Sequence, residues 1–205
     1  MDVKLVGWVG DDQSQLTPHL YADADFAGCV ASQKSTSGAY LCVRGPHTSF
    51  PISANSKRQS CVSKSTPEAE IVAMDFAIRS MGIPSLSLWD ALLLGKRGID
   101  VHEDNMGMVR ICETGRNPTM RYLARTHGVS VAFLHERFTD GQLRLKYEQS
   151  EKMAADIFTK AFTDSARWEA ACWLVNVVHP DKMQEVIELG DRVPPQLEGL
   201  SLIHI

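Results

Sequence analysis

Four carboxylates in this chain could act together: Asp23, Glu70, Asp104 and Asp156. Mg²⁺ is a hard cation that takes oxygen ligands, keeps several waters and is held by a few carboxylates plus substrate phosphate. Two such ions roughly 3.5 to 4 Å apart can activate a water and stabilise the leaving oxygen of an in-line phosphodiester displacement, so that no protein nucleophile is required. Without metal, four converging carboxylates would repel, and Mg²⁺ is therefore expected to stabilise the fold. Spacing alone does not single this set out, because 25 Asp and Glu residues offer many sets of four and the plain alternative is solvated surface charge. Asp25, two residues after Asp23 and so on the same strand face, competes for the place of first ligand.

Other chemistry is weaker. Ser35, Thr36 and Ser37 have no G-x-S-x-G elbow and no paired base, which leaves them as a loop that bonds its own backbone or a phosphate. Lys34, Lys57, Arg58 and Lys64 gather positive charge around the first carboxylate and before the long helix, as phosphate contacts or as ordinary solvated cations. His135-Glu136 begins like a zinc-protease motif, but Thr139 stands where the second His is needed. His127 reads as a hydrogen-bonded structural His. Cys29, Cys42, Cys61, Cys112 and Cys172 are scattered and never form a C-x-x-C pair, which indicates neither a disulfide framework nor a zinc site.

The elements that must position the carboxylates follow from the hydrophobic pattern. Strands are predicted from Leu20 to Asp25, from Gly38 to Val43 and over residues 48–54, as a meander with Gly45-Pro46 at a turn. A helix is predicted to begin at Thr66 as N-cap with Pro67 at its first position, with Ile71, Met74 and Ile78 as its apolar stripe. Pro84 should interrupt it and Ser85 restart it, up to Gly95. Ile99 to Glu103 reads as a strand, Asp104 to Glu113 and Val129 to Phe138 as helices, and Leu143 to Tyr147 as a strand. Ser150 to Lys160 and Ser165 to Val178 read as closing helices.

With 205 residues, 44% hydrophobic, 22% charged and a net charge of −4, the chain fits one ordinary domain with short extensions, and any nucleic-acid contact must be local. No apolar run approaches the roughly 20 residues needed to cross a bilayer, and no signal core follows the start, so an intracellular protein without a membrane partner is expected.

Tyr21-Ala22-Asp23-Ala24-Asp25-Phe26-Ala27-Gly28 resembles the D-A-D-W-A-G opening of copia-type retrotransposon ribonuclease H domains, and Lys34-Ser35-Thr36-Ser37-Gly38 resembles the K-S-T-S-G that follows it. Ser56-Lys57-Arg58-Gln59, Ser65 to Glu70, Glu103-Asp104-Asn105, Arg125-Thr126-His127 and Ala155 to Lys160 are similar, in order, to S-K-K-Q, S-S-T-E-A-E, C-D-N, R-T-K-H and A-D-I-L-T-K. The blocks span about residues 20–162, and their collinearity carries the resemblance.

The resemblance implies an α/β ribonuclease H-like fold, a mixed central sheet with three leading antiparallel strands flanked by helices. It implies hydrolysis of the RNA strand of RNA/DNA hybrids, with Asp23, Glu70, Asp104 and Asp156 holding two Mg²⁺ ions, or Mn²⁺ in their place. Lys34, Ser35, Thr36, Lys57, Arg58 and Asn105 are the implied nucleic-acid contacts. The family context adds a reverse-transcriptase segment of the same polyprotein as partner, and the cytoplasmic retrotransposon particle or the nucleus as location. The alternative is an inactive remnant that keeps the fold and at most binds nucleic acid. Phe26 stands for the usual Trp, Pro67 enters the S-S-T-E-A-E block, Met106-Gly107 replace Gln-Ser, and no His matches the catalytic-loop His of cellular ribonucleases H. The expected divisions are a leader over 1–17, the ribonuclease H-like domain over 18–163, a closing helix over 164–180 and a flexible tail over 181–205.

Overall fold

The computed structural model describes residues 3–93 and 98–191. Strands β1 (Lys4–Leu5), β2 (Thr17–Asp25), β3 (Thr36–Gly45) and β4 (Thr48–Arg58) come first, and helix α1 (Thr66–Ala77) passes through a π-turn, Ile78–Gly82, into α2 (Ile83–Leu92). Then follow β5 (Ile99–Glu103), α3 (Met106–Thr114), the single turn α4 (Leu123–Thr126), α5 (Val131–Thr139) and β6 (Leu143–Tyr147). Two short 3₁₀ segments, Ser150–Lys152 and Ala154–Phe158, lead to α6 (Ser165–Leu174), β7 (Val177–Val178) and α7 (Met183–Asp191).

The main sheet has the order β4-β3-β2-β5-β6. Its first three strands are antiparallel, whereas β2 with β5 and β5 with β6 are parallel. Alternation along each strand sends Leu20, Ala22, Leu41 and Val101 to one face, where they pack with Ile71, Met74, Ile78, Trp89, Met108 and Leu134 of the helices. The opposite face carries Tyr21, Tyr40 and Cys42, covered by Met153, Ala154, Ala155 and Val175. Both faces are thus dry, and the carboxylates can meet only at the strand ends.

Several expectations shift. Pro84 does not break the helix: the turn before it widens, Ile83 donates its N–H to the Ile78 carbonyl, and the helix continues. The joined helix, Thr66–Leu92, has 27 residues and a mean hydropathy of 1.3 over its most apolar stretch, enough by length and composition to cross a membrane. Its Ile71, Met74, Ile78 and Trp89 are fully buried against the sheet, as in the core helix of a water-soluble fold. The expected stop at Gly95 lies outside the described residues. Ser65, rather than Thr66, caps α1, accepting from Glu68 N. The helix expected from Ser150 to Lys160 is a pair of 3₁₀ turns.

The leader and the start of the tail are part of the fold. β1 pairs antiparallel with β7, Trp8 bridges to Ser49, and Val6, Val178 and Val186 form a small core of their own. Residues 183–191, expected within a flexible tail, form α7. Asn176, fully buried and at φ 63°, locks this corner: its Oδ1 accepts from Tyr40 Oη and Ser49 Oγ, and its Nδ2 donates to the Ser49 carbonyl.

Candidate metal centre

Parallel pairing sets Tyr21 beside His102, so two residues further on Asp23 and Asp104 stand together at the carboxyl ends of β2 and β5. Such strand ends are where open α/β sheets place their sites. Glu70 arrives from the early turns of α1, whose start is fixed by the Ser65 cap. One carboxylate oxygen from each of Asp23, Glu70 and Asp104 lies within 4.8 Å of the others. Asp156 comes from the Ala154–Phe158 turn, held on the sheet because β3 has no side chain at Gly38. A Cβ there would stand 2.6 Å from Thr159 Cγ2 and 2.9 Å from the Ala155 carbonyl oxygen.

The electrostatics are those of crowded acids. Burial, then Glu103, Asp23 and Asp104, push the Glu70 carboxyl up to about 11, and its Oε2 is buried without a hydrogen-bond partner. Burial and then Asp23 raise Asp156 to about 7. Lys160 Nζ bridges Asp156 Oδ1 at 2.7 Å and Asp23 Oδ1 at 3.2 Å. Thr159 Oγ1 donates to the other Asp23 oxygen, and Ser150 Oγ donates to Asp104 Oδ2 at 2.7 Å.

No family model matches the chain. Its curated relatives include two Arabidopsis thaliana proteins, the retrovirus-related Pol polyproteins from transposons RE2, 32% identical over 152 residues (71% of this chain), and RE1, 30% identical over 158 residues (74%). The chain spans 10% of the length of each. Among solved structures, that of LC11-RNase H1 in complex with an RNA/DNA hybrid superposes with a TM-score of 0.50 at 15% identity, covering 73% of this chain and 99% of that one. The chain is a retrotransposon-type domain with the ribonuclease H fold.

Within this ribonuclease H fold, Asp25 is not one of the three acids that cluster. Its Oδ1 accepts from Thr36 N, and the space beside its carboxylate is filled by the Gly28 turn. Of the expected nucleic-acid contacts, Lys57 and Arg58 are exposed at the end of β4, Lys57 above the Phe76 ring at 5.5 Å. Lys34 is half-buried in the loop before β3. Ser35 is fully buried and its hydroxyl accepts from Ala27 N, so it stitches its own loop and offers a phosphate nothing. Thr36 N is spent on Asp25. Asn105 caps α3 through Met108 N at 3.1 Å, immediately beside Asp104.

Three features of the ribonuclease H-fold site escaped the sequence reading. Glu103, where the resemblance has Cys, is fully buried below the cluster; its Oε1 accepts from Asn105 N at 3.0 Å and its Oε2 has no partner. Burial, Asp104 and Asp23 hold it well above the ordinary carboxylate range. The signal was present, since Glu103 falls in alternation with Ile99 and Val101 on one strand face, and a charged residue closing an apolar face is uncommon. Lys160 sits inside the A-D-I-F-T-K block, one helical turn after Asp156. Finally, buried Glu68 accepts from Tyr122 Oη at 2.7 Å and from Lys64 N at 3.0 Å, and meets His127 Nε2 at 3.0 Å. His127 therefore ties the 117–127 loop to the first turn of α1.

Proposed function

We propose that this domain hydrolyses the RNA strand of RNA/DNA hybrids, using divalent metal held by Asp23, Glu70 and Asp104, with Asp156 completing a second position. The observation that carries this is the convergence of three acids from three separate elements at the carboxyl end of the parallel strands. An all-oxygen donor set with an orphaned, buried Glu70 oxygen fits Mg²⁺ or Mn²⁺ better than a softer ion. When bound, such ions supply a nucleophilic water and charge stabilisation at the reacting phosphate.

The chain's own residues orient that chemistry. Thr159 and Ser150 fix the Asp23 and Asp104 carboxylates by donating to one oxygen of each, leaving Asp104 Oδ1 free to face an ion. Glu103 takes the Asn105 N–H and so shapes the turn that presents Asp104. Lys57, Arg58 and Lys34 would hold backbone phosphates, a contact that positions without reading sequence. In a longer Pol polyprotein, the reverse-transcriptase segment would deliver the hybrid, within an intracellular particle.

The test is cleavage of a labelled RNA/DNA hybrid by the purified chain with Mg²⁺ or Mn²⁺, beside Asp104→Asn and an all-DNA duplex. Metal-dependent loss of the RNA strand, abolished by the substitution, is the expected result. A folded chain that binds hybrid in low salt yet never cuts it would refute the enzyme. The binding-only reading that would then replace it has its own supporting observation, the Lys160 ammonium lodged between Asp23 and Asp156.

A further inference from the structure

Three stretches of chain advance together towards the acids. Tyr21 of β2 pairs in register with His102 of β5, and their rings stack with centroids 4.2 Å apart and planes 10° from parallel. His102 Nδ1 stands 3.0 Å from Glu148 Oε2, in the loop that follows β6. Two residues further along each stretch come Asp23, Asp104 and Ser150, and Ser150 Oγ donates to Asp104 Oδ2 at 2.7 Å. Side chains two apart on a strand share a face, so a layer of Tyr21, His102 and Glu148 precedes the layer that carries the acids.

The pairing of β5 with β6 ends at Glu103 and Tyr147, and Ser150 is an exposed residue beyond it. Glu148 is what holds the intervening loop. Its N–H donates to the Glu103 carbonyl at 2.9 Å, its Oε1 accepts from Gln149 N at 3.1 Å, and its Oε2 faces His102. His102 is a fixed anchor, buried between the Tyr21 ring and His19, whose Nδ1 lies 2.8 Å from its Nε2. A carboxylate that touches an immobile ring on one side and the next residue's N–H on the other sets the turn into the Ser150–Lys152 segment.

We propose that Glu148 is a positioning residue of the metal centre: anchored on His102, it sets the 148–150 turn so that Ser150 holds Asp104 Oδ2 and leaves Oδ1 to face an ion. This rests on the metal-centre reading above and names a residue that serves it without touching metal or substrate. A ligand already held by a second side chain has fewer orientations to give up when the ion arrives, and loss of such an outer partner weakens metal binding by about 10- to 100-fold. A Glu148 that only stabilised the fold would lower stability and leave the affinity for the ion alone.

The experiment is a titration of the full chain with Mn²⁺ in the absence of nucleic acid, counting free ion by electron paramagnetic resonance, beside urea denaturation in EDTA. Ser150→Ala and Glu148→Ala should each weaken Mn²⁺ binding about tenfold. Ser150→Thr, which keeps the hydroxyl, and Glu148→Gln, which keeps an oxygen for Gln149 N but no charge, should both stay within about threefold of wild type. The double variant, Glu148→Ala with Ser150→Ala, should bind Mn²⁺ no more weakly than Ser150→Ala alone, because Glu148 acts through Ser150. Its urea midpoint should nevertheless fall below that of Ser150→Ala, since the contact with His102 is lost as well. An unchanged Mn²⁺ constant in a folded Ser150→Ala or Glu148→Ala, or losses of affinity that multiply in the double variant, would overturn the proposal with the metal centre left standing. Absence of any Mn²⁺ binding that Asp104→Asn removes would bring down the metal centre itself, and this proposal with it.

Discussion

Raising the pH should destabilise the metal-free domain, and Mg²⁺ should flatten the effect. Glu70, pushed up to about 11 by burial and then by Glu103, and Glu103, pushed well above its ordinary value by burial and Asp104, keep protons in the folded state that the unfolded chain has released. A carboxyl raised in this way loses stability for the fold as pH rises from its ordinary value of 4.5 towards its folded one. Below about pH 6.5 the slope is masked, because burial lowers His19 and His102 to about 4 and their contribution grows with pH until the unfolded histidines are neutral. Asp156, at about 7, is half-titrated where the window opens and adds to the fall only over its lower part. Between pH 7 and 8.5 the two buried glutamates dominate, and a Cys29→Ser background removes the opposing, Ser32-lowered thiol.

If the pair retains one proton between them, the slope is about 1.4 kcal/mol per pH unit, or about 2 kcal/mol over the window. For a domain of this size that is a fall in Tm of roughly 4–8 °C. Melts in EDTA at pH 7.0, 7.75 and 8.5 measure it, and saturating Mg²⁺ should flatten the slope by taking the place of the protons. Glu103→Gln, which gives the orphaned position a neutral amide, should raise Tm at pH 8.5 in EDTA. A metal-free Tm that is level or rises across this window would refute the buried, proton-holding pair, whatever the enzyme's activity.

Asp23→Asn should lower hybrid cleavage by at least about a hundredfold, while Asp25→Asn, whose partner is Thr36 N, should keep activity within about fivefold and lose about 1 kcal/mol in urea denaturation. His127→Ala leaves the buried Glu68 carboxylate short of a partner and should cost about 3 kcal/mol in the same assay, with a smaller loss for His127→Gln. Gly38→Ala drives a methyl into Thr159 and the Ala155 carbonyl; a loss of about 1–3 kcal/mol together with weakened metal-dependent cleavage is expected, whereas cleavage at the wild-type rate would show that the Asp156 turn does not depend on that seat.

Local pattern and spatial neighbourhood divide what could be read from the sequence. Ile99 to Glu103 and Leu143 to Tyr147 were legible as strands to the residue, because β-branched and alternating apolar positions declare themselves within five residues. β4 ran on to Arg58, past the expected 54, since its outward residues are polar and leave no apolar period to follow. The break expected at Pro84 was legible as a conflict but not its resolution, because a single π-turn depends on the packing of the whole helix. The collinear blocks pointed to Asp23, Glu70, Asp104 and Asp156, and three of these converge tightly. What no local pattern could convey is that Asp156 shares its cation with Asp23, that Asp25 is consumed by its own loop, or that Ser35 faces inward. Each of these is decided by a neighbour distant in sequence.

The small β1–β7 clasp has a mechanical consequence. Lys4 pairs with Val178 and Leu5 with Val177, so the backbone before β1 and after β7 meets at the same end of one short ladder, on which α7 packs through Val186. A pull applied through those segments would peel α7 away and then open the ladder one rung at a time, as a zipper, rather than shear all its bonds together. The main sheet, whose strands lie inside the clasp, would be shielded until those few bonds had gone. Tension along a tethered chain would thus be spent first on a detachable corner, before it reached the strands that carry the acids.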